Sequence, residues 1–116
     1  MIASSDRPET TAADAVDAVA QGIFLLDVRE QNEWVEGHAP GATLIPLSEL
    51  SERTAEVPQG RPVLVVCHSG MRSARATEAL RGVGVDAVNV AGGMLAWRDA
   101  GGDVVTGDDA SGRSAG

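Results

Sequence analysis

Four short apolar runs punctuate the chain, at residues 23–28, 42–45, 63–66 and 87–90. Each is rich in Val, Ile, Leu or Ala and shows little polar alternation, the pattern of strands buried on both faces of a parallel sheet. Helix-like segments lie between them. Ala12, Val16 and Val19 share one helical face behind Thr11, an N-cap type with Asp14 three positions on, and Gly22 marks the stop. Residues 30–37, 48–57 and 73–83 read as further helices, the last with an apolar stripe of Ala76, Leu80 and Val83. Residues 94–100 suit a short final helix. Strands alternating with helices predict an α/β fold: a three-layer open sandwich with a mostly parallel sheet of four to five strands and helices on both faces.

The pattern fades at both ends. Residues 1–10 are polar and read as a weakly ordered segment before a domain spanning 11–105. Residues 106–116 are rich in Gly, Ser and Asp, with nothing to bury, and read as a disordered polar tail. The full chain has 116 residues, which suits one domain with a core of its own. Its nine basic residues are all Arg, against 17 acidic ones, for a net charge of −8. Such a field repels nucleic acid and anionic membranes, so neither is expected as a partner. There is no signal-peptide pattern and no apolar stretch of membrane-spanning length, so a cytoplasmic location is expected. A single cysteine and two histidines, His38 and His68, offer no metal-cage spacing, and neither metal nor cofactor is expected.

The candidate chemistry sits where the third apolar run ends: Val66-Cys67-His68-Ser69-Gly70-Met71-Arg72-Ser73. Ligands of open α/β sheets bind beyond the carboxyl ends of strands, which is where Cys67 falls. Successive backbone N–H groups from His68 to Ser73 can form an anion-binding concavity around the sulfur. The following helix aims its free N–H groups and positive dipole end at the same point, and Arg72 brings a permanent cation. All three favour thiolate; comparable settings lower a cysteine pKa from about 8.5 into the range of about 3.5–7.5. A free cysteine at a strand end is often only a small buried hydrophobe. The strand–Cys–Gly–Arg–helix arrangement argues for reactivity instead.

In these motifs the chain resembles the rhodanese family. Asp27-Val28-Arg29-Glu30 with Glu33-Trp34, then Gly37-His38 with Pro40-Gly41-Ala42 and Ile45-Pro46-Leu47, look like two family signatures. The stretch Cys67–Ser73 looks like the active-site loop, and Gly92-Gly93-Met94 with Ala96-Trp97 like the C-terminal signature. The resemblance implies a sulfurtransferase: Cys67 takes a sulfane sulfur from thiosulfate or a persulfide donor and passes it to a thiol, cyanide or protein acceptor. It implies catalytic roles for Cys67 and Arg72, and substrate binding by His68, Ser69, Gly70, Met71 and Ser73. Asp27 and Arg29 are expected to brace the Cys67 loop by hydrogen bonds, since charges near a buried loop need partners. Trp34 and Trp97 read as core aromatics, His38 as a turn residue bonded to backbone, and Gly92-Gly93 as a tight turn. The family's opening strand has little signal here over residues 5–9, so that edge strand is expected to be very short or missing.

Two other functions stay open. One is a rhodanese-like binding module without turnover, against which the retained cysteine counts. The other is a phosphatase or arsenate reductase of the same fold. The six residues from Cys67 to Arg72 make a loop one residue shorter than the related phosphatases use, and there is no second cysteine.

Overall fold

The apolar runs become the strands of one sheet. In the computed structural model, which describes residues 8–108, the strands are β1 (Glu9–Thr10), β2 (Phe24–Asp27), β3 (Thr43–Leu44), β4 (Pro62–Val66) and β5 (Asp86–Val90). They are all parallel, in the order β1-β5-β4-β2-β3. The helices are α1 (Ala12–Ala20), α2 (Gln31–Glu36), α3 (Leu47–Leu50), α4 (Met71–Gly82) and α5 (Gly93–Asp99). Edge strand β1 exists but has only two residues, paired with Asn89 and Val90 of β5. Thr11 caps α1 by accepting the Asp14 N–H at 3.1 Å.

Because strand side chains alternate between faces, the sheet divides the core in two. Leu25, Leu64, Val66 and Val90 face one side, where Ala12 and Ala15 of α1 and Met94 and Trp97 of α5 cover them. Leu26, Val63, Val65, Cys67 and Ala87 face the other, beneath Leu50 of α3 and Ala76 and Leu80 of α4. Both faces are therefore packed, which is why the runs lack polar alternation.

Two expectations need correction. The single helix expected over residues 48–57 is a one-turn α3 followed by a separate 3-10 turn, Thr54–Glu56. Only Leu50 and Val57 of that stretch are buried. Between them Ser51, Glu52, Arg53 and Thr54 offer no apolar contact to hold a continuous helix against the sheet, and Ser and Thr favour it little. Val83, expected in the apolar stripe of α4, lies just beyond the helix and is 54% exposed.

After α5 the chain folds back. His38 and Val105 exchange both backbone hydrogen bonds in an antiparallel bridge, and the Gly107 N–H donates to the Val35 carbonyl. Residues 109–116 of the expected tail, and 1–7 of the expected N-terminal segment, lie outside the described residues. No helix among the described residues is long and apolar enough to cross a membrane.

Candidate active site

Strand β4 runs through the middle of the sheet and delivers Cys67 at its carboxyl end. Alternation turns the side chain inward with Val63 and Val65, and only 1% of the residue is exposed. His68 and Ser69 are exposed and Gly70 is buried. Helix α4 begins at Met71, two residues earlier than expected, so Met71 and Arg72 belong to its first turn rather than to the loop. Gly70 makes this early start possible. Its φ of 107° lies in the left-handed region, where the absence of a Cβ removes the usual strain.

The sulfur is surrounded by donors. Cys67 Sγ accepts the Gly70 N–H at 3.1 Å and lies 3.3 Å from the Ser73 hydroxyl. Burial pushes the thiol up. Hydrogen bonds from the Ser73 hydroxyl and from the N–H groups of Ser73, Gly70 and Ser69 outweigh it, so Cys67 is held below the ordinary thiol value. The positive end of α4 acts in the same direction.

The loop carbonyls point elsewhere, which leaves the amides free to face the sulfur. The Cys67 carbonyl accepts the Met94 N–H at 2.8 Å, and the His68 carbonyl accepts the Leu95 N–H at 3.2 Å. These are first-turn amides of α5, which have no partner within their own helix. The approach is so close that a Cβ on Gly93 would collide with both carbonyl oxygens, and Gly93 itself has φ of 58°. The Gly92-Gly93 pair thus does more than turn the chain: it seats one helix against the active-site loop.

Arg72 makes a bidentate pair with Glu33 of α2, at 2.7 and 2.8 Å. The hydrogen bonds from this guanidinium, against some opposition from burial, pull the Glu33 carboxyl down to about 2. Arg72 is raised in return, chiefly by the Glu33 hydrogen bonds. The cation therefore fastens the start of α4 to α2, and its charge is largely matched there. Glu33 Oε1 also accepts the Glu30 N–H, closing the capping box of α2.

Asp27 and Arg29 do not brace the loop by hydrogen bonds as expected, although Arg29 lines the groove beside it. They form a buried ion pair of 2.7 Å, and Arg29 also donates to the Gly37 carbonyl at 2.8 Å. Among the described residues they brace the end of α2, and no hydrogen bond joins them to residues 67–72. Of the residues expected to touch substrate, His68 and Ser69 are open to solvent and Met71 is 77% exposed. Ser73 is fully buried, with its hydroxyl between the sulfur and Asn89. Trp34 and Trp97 are buried in the core, and His38 stacks on Trp34 at 3.6 Å with Nδ1 2.7 Å from the Trp34 carbonyl. A groove of about 360 Å³ runs beside the loop, lined by Glu33, Glu36, His68, Leu95 and Arg98 among others.

Two contributors escaped the sequence reading as site residues. Glu33 was visible only as part of a motif, and its partner lies 39 positions away. Asn89 is buried, and Ser73 Oγ lies 2.5 Å from its Oδ1. The available signal was a single amide inside the otherwise apolar end of β5, since a polar group in a buried strand needs a partner.

Comparison with known proteins agrees with this geometry. Residues 11–100 match the rhodanese-like domain family. The uncharacterized protein YqhL of Bacillus subtilis is 43% identical over 74 residues, covering 63% of this chain and 59% of YqhL. A sulfurtransferase of Allochromatium vinosum is 35% identical over 81 residues, covering 69% of this chain and 76% of that protein. Among solved structures, a rhodanese-related protein from Thermoplasma volcanium superposes with a TM-score of 0.79 at 35% identity, over 84% of this chain and 96% of that one. The fold is that of a rhodanese-like α/β domain built around a cysteine loop. The chain belongs to the rhodanese-like domain family. It spans less than two thirds of YqhL.

Proposed function

We propose that the protein is a sulfurtransferase that carries a sulfane sulfur on Cys67. The observation that carries this reading is the ring of donors at the sulfur: a buried thiol held below its ordinary value by the Gly70 and Ser69 amides and by Ser73. In the first half-reaction the Cys67 thiolate attacks the outer sulfur of thiosulfate. The S–S bond breaks, sulfite leaves with the electron pair, and Cys67 becomes a persulfide. In the second, an acceptor thiolate or cyanide attacks the outer persulfide sulfur, and the Cys67 thiolate is the leaving group. The loop amides stabilise the anion at both ends of this cycle, and two half-reactions imply ping-pong kinetics. A persulfide donor would enter by the same chemistry. A relative carrying the name sulfurtransferase supports the class of reaction. A lone reduced cysteine used in this way suits the cytoplasm.

The test is intact-mass measurement after incubation with thiosulfate. The expected result is a gain of one sulfur atom, reversed by cyanide with release of thiocyanate, and both signals should vanish in Cys67→Ser. An unchanged mass together with no thiocyanate would overturn the reading in favour of a binding module.

A further inference from the structure

The Ser73 hydroxyl has two acceptors and one proton. Its Oγ lies 3.3 Å from Cys67 Sγ and 2.5 Å from Asn89 Oδ1, and a serine hydroxyl can donate to only one of them at a time. The orientation of the Asn89 amide is dictated by its other neighbours. Its Nδ2 faces two oxygens, the Gly70 carbonyl and Glu9 Oε2, each at 3.3 Å. Turning the amide over would set Oδ1 against both oxygens, so Oδ1 stays on the Ser73 side. Ser73 is fully buried and Asn89 is 4% exposed, at the wall of a pocket of about 270 Å³ that does not include Ser73.

We propose that Asn89 is a positioning residue that holds the Ser73 hydroxyl proton toward its own carbonyl and so restrains Cys67. With the thiol protonated, every donor in the row finds an acceptor: Cys67 S–H to Ser73 Oγ, Ser73 O–H to Asn89 Oδ1, and Asn89 N–H to the Gly70 carbonyl and Glu9. When the thiol ionises, Ser73 swings its proton to the sulfur, and Asn89 Oδ1 loses its donor in a buried place. The serine thus helps the thiolate, as its position suggests, but at the cost of a bond to Asn89. The persulfide would draw on the same hydroxyl. The proposal rests on Cys67 being the reactive group of the proposed sulfur carrier, but its readout is alkylation, which needs no sulfur donor. A protein that fails to take up sulfur can still confirm it, and the reverse also holds.

The charged side chains that share a pocket wall with Asn89 are Glu9, Arg75 and Glu78, and the charged and titratable groups around Cys67 form no hydrogen bond with Asn89 among the described residues. Arg72 is tied to Glu33, Asp27 to Arg29, and His68 is turned to solvent. Glu9 does bond to Asn89, and it loses the Asn89 N–H when that residue changes.

The experiment is the pH profile of iodoacetamide alkylation of Cys67 in the wild type, Asn89→Ala, Ser73→Ala and the double variant. Freeing the Ser73 proton should lower the midpoint in Asn89→Ala by roughly 0.5–1 pH unit, the worth of about one neutral hydrogen bond. In the Ser73→Ala background the same change should have no effect, a coupling that a double-mutant cycle isolates. A midpoint that stays or rises in Asn89→Ala, or an equal shift without Ser73, would overturn the proposal. So would Glu9→Gln reproducing the whole shift. Should Asn89→Ala fail to fold by circular dichroism, the infrared S–H stretch of the wild type decides. A donating thiol gives a lowered band that rises in Ser73→Ala; a band indifferent to Ser73 counts against the row.

Discussion

At the scale of single residues, the site is a set of charges and protons held in place by partners. Glu33 shows how far that reaches. Its carboxyl is drawn from 4.5 to about 2, first by the Arg72 hydrogen bonds. A carboxyl depressed in the folded state adds stability that is complete above its unfolded value and is lost as pH falls from 4.5 toward about 2. Glu33→Gln should therefore flatten the acid side of the stability curve in that window, read from urea midpoints at successive pH values. The pair is partly open to solvent, so the effect should be modest. Arg72 ties the first turn of α4 to α2, and Cys67 owes its lowered value to hydroxyl and amide donors.

At the scale of elements, the loop depends on two helix N-termini meeting it from different sides. Helix α4 grows directly out of it through Gly70, while α5 clamps its carbonyls through Met94 and Leu95. The second contact exists only because Gly93 carries no side chain. Gly93→Ala combines a left-handed backbone with a collision against the Cys67 and His68 carbonyls. It should cost roughly 2–4 kcal/mol of stability, from strain and overpacking together. Urea denaturation measures that loss. The same variant, still folded at low temperature, should alkylate more slowly at pH 6, because the inward amides lose the anchoring of their carbonyl side.

At the scale of the whole molecule, the net charge of −8 opposes every anionic donor. Beside the loop, Arg72 is matched by Glu33 and Arg29 by Asp27, and Arg98 shares the groove with the carboxylates of Glu33 and Glu36, so attraction at the sulfur comes mainly from amides and helix dipoles, which act at short range. Screening the long-range repulsion should then help. With thiosulfate, kcat/KM should rise as ionic strength increases up to about 0.15 M, where the screening length is about 8 Å. Stopped-flow or steady-state assays in a salt series read this directly, and a fall with salt would mean that an unmatched positive surface guides the donor.

Local sequence pattern alone sets the alternating rhythm of strands and helices, apart from the two-residue β1 and the broken helix over residues 48–57, because continuous apolar runs have no stable home except between two covered faces. It also placed Cys67 at a strand end with a glycine three positions on, since strand termini and glycine are local signals. Tertiary structure decided what surrounds the sulfur. Glu33 meets Arg72 across 39 residues, Asn89 meets Ser73 across 16, and Gly93 lies against the Cys67 carbonyl. Asp27 and Arg29 turn to α2, although their position at and just past the end of β2 also suited the loop. Hydrogen-bond partners are chosen by where elements cross, and the crossing is set by packing of the whole sheet rather than by any local pattern.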